Sequence, residues 1–139
     1  MTKIYGCGCV IGVIAPFVFL VAPVWAQSID CRNPQTQRDL NRCSEADYRA
    51  ADRQLNETYQ QLRRRIREFA GNRPAVREQE NRLVDAQLAW ITFRDRHCAF
   101  VRSRVEGGSI LPLAVNRCLE RLTKERTQEL ALYLREGAI

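Results

Sequence analysis

The sequence predicts an all-α protein: an antiparallel three-helix bundle with a short N-terminal helix, stapled by disulfides. Three observations carry that expectation. Three long segments repeat apolar residues at three-and-four spacing. Two groups of helix breakers separate them, Gly71-Asn72 ahead of Pro74 and Gly107-Gly108-Ser109 ahead of Pro112. Four cysteines remain once an export segment is set aside, and no stretch alternates convincingly as a strand.

The export segment comes first. After Lys3 the chain is nearly uncharged and apolar from Val10 to Trp25, and Val24 and Ala26 are the small residues that precede a signal-peptidase cut. The run is short for a membrane span and is interrupted by Pro16 and Pro23, so residues 1–26 read as a cleavable signal peptide. Cys7 and Cys9 precede the apolar run, and Gln27 would begin the mature chain, so no lipid-modified cysteine is expected there. Residues 27–139 are then one exported domain, periplasmic or secreted, with no stable membrane anchor after cleavage.

A turn at Asn33-Pro34 leads into the short helix carrying Leu40 and Cys43. Ser44-x-x-Asp47 resembles a capping box, starting a helix with Tyr48, Leu55, Tyr59, Leu62, Ile66 and Phe69 on one stripe. Pro74 opens the next helix, expected to run to about Arg104. Pro112 opens the last, with Val115, Leu119, Leu122, Leu130 and Tyr133 on one face. Short connections make successive long helices antiparallel.

Residues 86–98, A-Q-L-A-W-I-T-F-R-D-R-H-C, complicate the middle helix. At about 100° per residue, Gln87 and Arg94 fall inside the apolar arc of Leu83, Val84, Trp90, Ile91 and Cys98. Arg126 is equally central among Leu119, Leu122 and Leu130. A turn centred near residue 72 puts Asp52 level with about residue 92, beside Arg94. An inward guanidinium needs a carboxylate. The expected network is Asp52 bridging Arg94 and Arg126, with Gln87 bonded near Asn56 and Tyr59. Removing Asp52 would then cost about 3–5 kcal/mol. Such a layer more often fixes helix register than binds a ligand.

The remaining cysteines, Cys31, Cys43, Cys98 and Cys118, read as two disulfides in an exported chain. A second turn near residue 108 brings Cys98 level with Cys118, so Cys98–Cys118 and Cys31–Cys43 are the preferred pairs. Cys43 would lie near the same end, which leaves crossed pairings open.

Several function classes find no support. The cysteines lack close ligand pairs, and His97 is the single histidine, so neither a metal site nor a cofactor is expected. No nucleophile elbow or phosphate loop occurs, so the expectation is not an enzyme. Beyond residue 26 the chain has 21 basic and 16 acidic residues, a net charge of +5, which favours anionic partners. Export argues against nucleic acid. Arg63, Arg64, Arg65 and Arg67 form a dense candidate anion-binding stretch, with Arg73, Arg77 and Arg82 beyond the turn. The interspersed Glu68, Glu78 and Glu80 give it the composition of an ordinary solvated face.

The motifs follow in order: D-C at 30–31, L-N-x-C at 40–43, D-x-x-L-N-x-x-Y at 52–59 and A-Q-x-A-W at 86–90. R-D-x-x-C at 94–98, G-G-S at 107–109, C-L at 118–119 and L-T-x-x-R-x-x-E-L at 122–130 complete the set. This order resembles the N-terminal domain family of LprI-type lysozyme inhibitors, small exported bacterial helical proteins with four cysteines. The resemblance implies a bacterial envelope location, disulfides and inhibition of a lysozyme through protein–protein contact. It differs from the family's namesake, a lipoprotein, in lacking a cysteine at the cleavage site.

A lysozyme cleft presents two catalytic carboxylates, which an inserted arginine could pair with. The candidate partner-binding residues are therefore Arg104, Glu106, Gly107, Gly108 and Ser109 in the loop Ser103–Ser109. Strongly basic lysozymes would be repelled by this cationic chain. The alternative is an envelope module that holds acidic glycan, phosphate-rich lipid or wall polymer on its Arg-rich face.

Overall fold

The computed structural model describes residues 29–70 and 74–136. The expected signal peptide, residues 1–26, lies outside the described residues, as do Gly71, Asn72, Arg73 and the side chain of Phe69. Three helices make up the bundle: α1 (Gln37–Ala70), α2 (Pro74–Ser103) and α3 (Leu111–Glu136). Among the described residues no helix is long and apolar enough to cross a membrane.

The separate short N-terminal helix does not form; its residues are the first turns of α1. The N-terminus is capped eight residues before the expected box. The backbone N–H of Asp39 donates to Thr36 Oγ1 at 3.1 Å, and that of Thr36 donates to Asp39 Oδ2 at 3.1 Å. This reciprocal pair satisfies two donors at a helix start, where a carboxylate also suits the dipole. No Gly or Pro follows to break the helix. Ser44, fully buried, instead donates to the Asn41 carbonyl at 2.8 Å and accepts from Asn116 Nδ2 of α3 at 3.2 Å. A hydroxyl so occupied leaves the helix intact.

α1 runs antiparallel to α2 and parallel to α3, which is its main packing partner. The Ser44–Asn116 bond sets a register that brings Ala51 level with Thr123. Ser44, Ala51, Thr123 and Thr127 are all buried, and such small side chains let two helices approach closely.

The apolar core has two clusters. Leu55, Leu62, Ile66 and Leu130 form one, with Tyr59, Leu83 and Leu134 packed against it. Cys98, Cys118 and Leu122 form the other, with Val101 and Leu119. Trp90 touches both and ties α2 to each. Tyr133, expected on the inner face of α3, is exposed; Leu134, one turn beyond Leu130, takes the core position.

Both preferred disulfides are present. Cys31–Cys43 joins the lead segment to α1 with Cα atoms 5.5 Å apart, and Cys98–Cys118 joins α2 to α3 at 5.7 Å.

Candidate functional site

Gln87, Arg94 and Arg126 are buried, as their helical angles predict. Their partners differ from the expected ones. Arg94 lies between two rings, its Cζ 5.1 Å from the Trp90 centroid and 6.0 Å from that of Tyr48. Its Nε donates to Asp95 Oδ1 at 2.9 Å, and Nη1 lies 3.5 Å from Asp52 Oδ1. Arg126 does not meet Asp52. Its Nε donates to Gln87 Oε1 at 3.1 Å, and Nη1 donates to Glu129 Oε2 at 2.8 Å. Asn56 is exposed and bonds Asp52 Oδ2 at 3.2 Å, so it does not serve Gln87.

The expected single network is thus two local ones. In each, a buried guanidinium reaches a carboxylate at the rim: Asp95 is 55% exposed, Asp52 40% and Glu129 52%. Because the carboxylates stay partly hydrated, these pairs avoid the full cost of an internal ion pair. Burial raises the pKa of the Tyr48 phenol against the lowering effect of Arg94, and Asp52 and Asp95 add to the rise. These groups have structural partners and line the helix junction.

The Arg-rich stretch is partly neutralised. Arg63 Nε and Nη2 donate to Glu80 Oε1 at 2.9 and 2.7 Å, and Arg67 Nη1 donates to the same oxygen at 2.6 Å. Burial works to raise the Glu80 pKa, but the hydrogen bonds and charges of Arg63 and Arg67 outweigh it, and the net shift is downward. Arg63 also lies over the Tyr59 ring at 5.7 Å. Arg64 and Arg65 are exposed on the outer side of α1.

A buried acid that sequence reasoning missed is Glu120. Lys124 Nζ and Arg117 Nη1 each donate to it at 2.7 Å, and Arg117 also reaches Asp47 Oδ2 at 3.1 Å. Burial opposes ionisation of Glu120, yet those two cations lower its pKa. The cluster links α3 to α1 across the bundle surface. Its signal was the R-x-x-E-x-x-x-K spacing at 117–124, which places both cations within one helical turn of the acid.

The loop between α2 and α3 is exposed at Arg104, Glu106, Gly107, Gly108 and Ser109. It is nonetheless held on several sides. The Cys98–Cys118 bridge closes its base, and Asn41 Nδ2 of α1 donates to the Ser109 carbonyl at 3.1 Å. Its backbone makes successive turns, from Arg104 N–H to the Val101 carbonyl and from Gly108 N–H to that of Val105. Gly107 adopts φ +81°, a left-handed conformation that favours glycine. The loop therefore presents Arg104 from a constrained frame at the disulfide-bearing end.

A stapled helical bundle of this kind, with residues 31–130 matching the family described as lysozyme inhibitor LprI, belongs to that family. Two relatives are similar over most of the chain. The uncharacterized protein R02472 of Rhizobium meliloti (strain 1021) is 40% identical over 105 residues, covering 73% of this chain and 76% of that one. The uncharacterized protein YecT of Escherichia coli (strain K12) is 30% identical over 115 residues, covering 75% and 71%. The fold is shared with a crystal structure of a DUF1311 family protein from Pseudomonas putida KT2440. That likeness has a TM-score of 0.60 at 24% identity, over 68% of this chain and 90% of that one.

Proposed function

We propose that this chain is an exported, non-catalytic binding protein that inhibits a lysozyme by direct contact. The observation that carries the reading is the constrained, exposed loop with Arg104 at its start, in a chain of the lysozyme inhibitor LprI family. Little ordering entropy remains for such a loop to lose on binding. Arg104 would pair with the cleft carboxylates, while Glu106 to Ser109 contact the rim. The test is lysis of bacterial walls by several lysozymes with the oxidised protein in excess. Inhibition that weakens at least about tenfold in Arg104→Ala supports the reading. Unchanged lysis with every lysozyme removes it.

The envelope-module alternative has less exposed charge than the sequence suggests, because Arg63 and Arg67 share Glu80. Co-sedimentation with anionic vesicles or cell walls, lost when Arg63, Arg64, Arg65 and Arg67 are replaced, would favour it over inhibition.

A further inference from the structure

Two of the motifs that carry the family resemblance meet in space: L-N-x-C at 40–43, early in α1, and G-G-S at 107–109, at the end of the loop before α3. Asn41 Nδ2 donates to the Ser109 carbonyl at 3.1 Å, across 68 residues of chain. The other end of the same amide, Oδ1, accepts from Gln37 Nε2 at 2.9 Å. The Asn41 backbone carbonyl accepts from Ser44 Oγ, which in turn accepts from Asn116 Nδ2 of α3. The first turns of α1 thus grip both the end of the loop and the start of α3. This platform is itself firm, capped by the Thr36–Asp39 pair and pinned by the Cys31–Cys43 bridge.

The loop needs such a grip. Gly107 and Gly108 give its backbone more freedom than any other pair of residues would. Whether the grip exists depends on the direction of one amide. A carbonyl such as that of Ser109 only accepts, so it must meet Nδ2 and not Oδ1. Gln37 keeps Nδ2 there, because its own donor Nε2 faces Oδ1 and would oppose a flipped amide. A single exposed bond of this kind adds little to global stability. Its effect is local: it shifts the opening equilibrium of a surface segment severalfold.

We infer that Asn41 is the positioning residue of the Ser103–Ser109 loop, and that Gln37 acts through it by setting the direction of its amide. What the loop meets rests on the inhibitor reading above; how the loop is held does not.

The experiment follows amide hydrogen exchange at Gly108 and Leu111 in the full chain, exported and oxidised. Their N–H groups donate to the Val105 and Gly108 carbonyls and report the loop directly. Asn41→Ala removes the donor, while alanine favours the helix and keeps the melting temperature within about 3 °C of wild type. Gln37→Glu should turn the Asn41 amide, because a carboxylate attracts Nδ2 and leaves Oδ1 against the Ser109 carbonyl. Each change should speed exchange at both amides about fivefold and leave the buried Leu122 amide unchanged. The Asn41→Ala/Gln37→Glu double variant should match Asn41→Ala alone, since an effect of added charge would persist there and an effect through Asn41 would not. Wall lysis by the same lysozymes should be inhibited more weakly by a similar factor. Unchanged loop exchange in Asn41→Ala, or a further increase in the double variant, would overturn the inference. Faster loop exchange with inhibition unweakened, or absent even in wild type, would uphold the tether and overturn the inhibitor reading instead.

Discussion

Arg94 and Arg126 show how a charge can occupy a core position without an internal carboxylate. Each sends its stem inward and finds its acid at the rim, one or three residues along its own helix. Their inward placement was legible from helical angles. The partners were not, because turn-based levels resolve about one helical turn, while Asp95 and Glu129 are set by local spacing. Asp52→Ala should therefore cost about 1 kcal/mol in urea unfolding, since Arg94 keeps Asp95 and Asp52 is partly hydrated. A loss of 3 kcal/mol or more would restore the single-network account. Thr123 is fully buried and its Oγ1 has no hydrogen-bond partner among the described residues. Thr123→Val keeps the shape and removes that hydroxyl, so it should stabilise by about 1 kcal/mol.

Glu80 and Glu120 make stability depend on acidity. Both have folded-state pKa values below the ordinary 4.5, so their contribution is complete above that value. It is lost as pH falls below 4.5 and on through the depressed folded values. Thermal melts across that range should show the drop, and Glu120→Gln should flatten it while lowering stability at neutral pH. An unchanged acid profile in Glu120→Gln would mean that Glu120 is not paired with Lys124 and Arg117 in solution.

At the scale of the elements, periodicity and breakers located all three long helices, and Pro74 is the first residue of α2 as expected. The start of α1 was misplaced because Ser44-x-x-Asp47 and Thr36-x-x-Asp39 have the same pattern. What separates them is α3: it buries Ser44 and bonds it, a tertiary fact invisible in the local sequence. Cysteine levels succeeded because the Cys98–Cys118 loop is short and regular on both sides. Cys98→Ser/Cys118→Ser should cost about 3 kcal/mol in denaturant unfolding, by the chain entropy of a closed loop of this length. Under the proposed inhibitor function it should also weaken inhibition of a lysozyme, because the base of the Arg104 loop is released. Full inhibition by a destabilised double variant would separate loop function from the staple.

For the whole molecule, the sequence showed the family and the architecture, and burial then divided the arginines by task. Arg94 and Arg126 hold the bundle, Arg63 and Arg67 clamp α2 through Glu80, and Arg104 remains exposed at the stapled end. The exposure of Phe93 and Phe100 on α2 was not legible beforehand, because both read as ordinary apolar residues. The most direct measurement is the change in backbone amide NMR shifts when a lysozyme is added to the labelled protein. The account predicts changes concentrated in the loop Ser103–Ser109, with the α1–α3 seam unaffected. Changes centred on Arg64 and the outer side of α1, or none at saturating lysozyme, would contradict it.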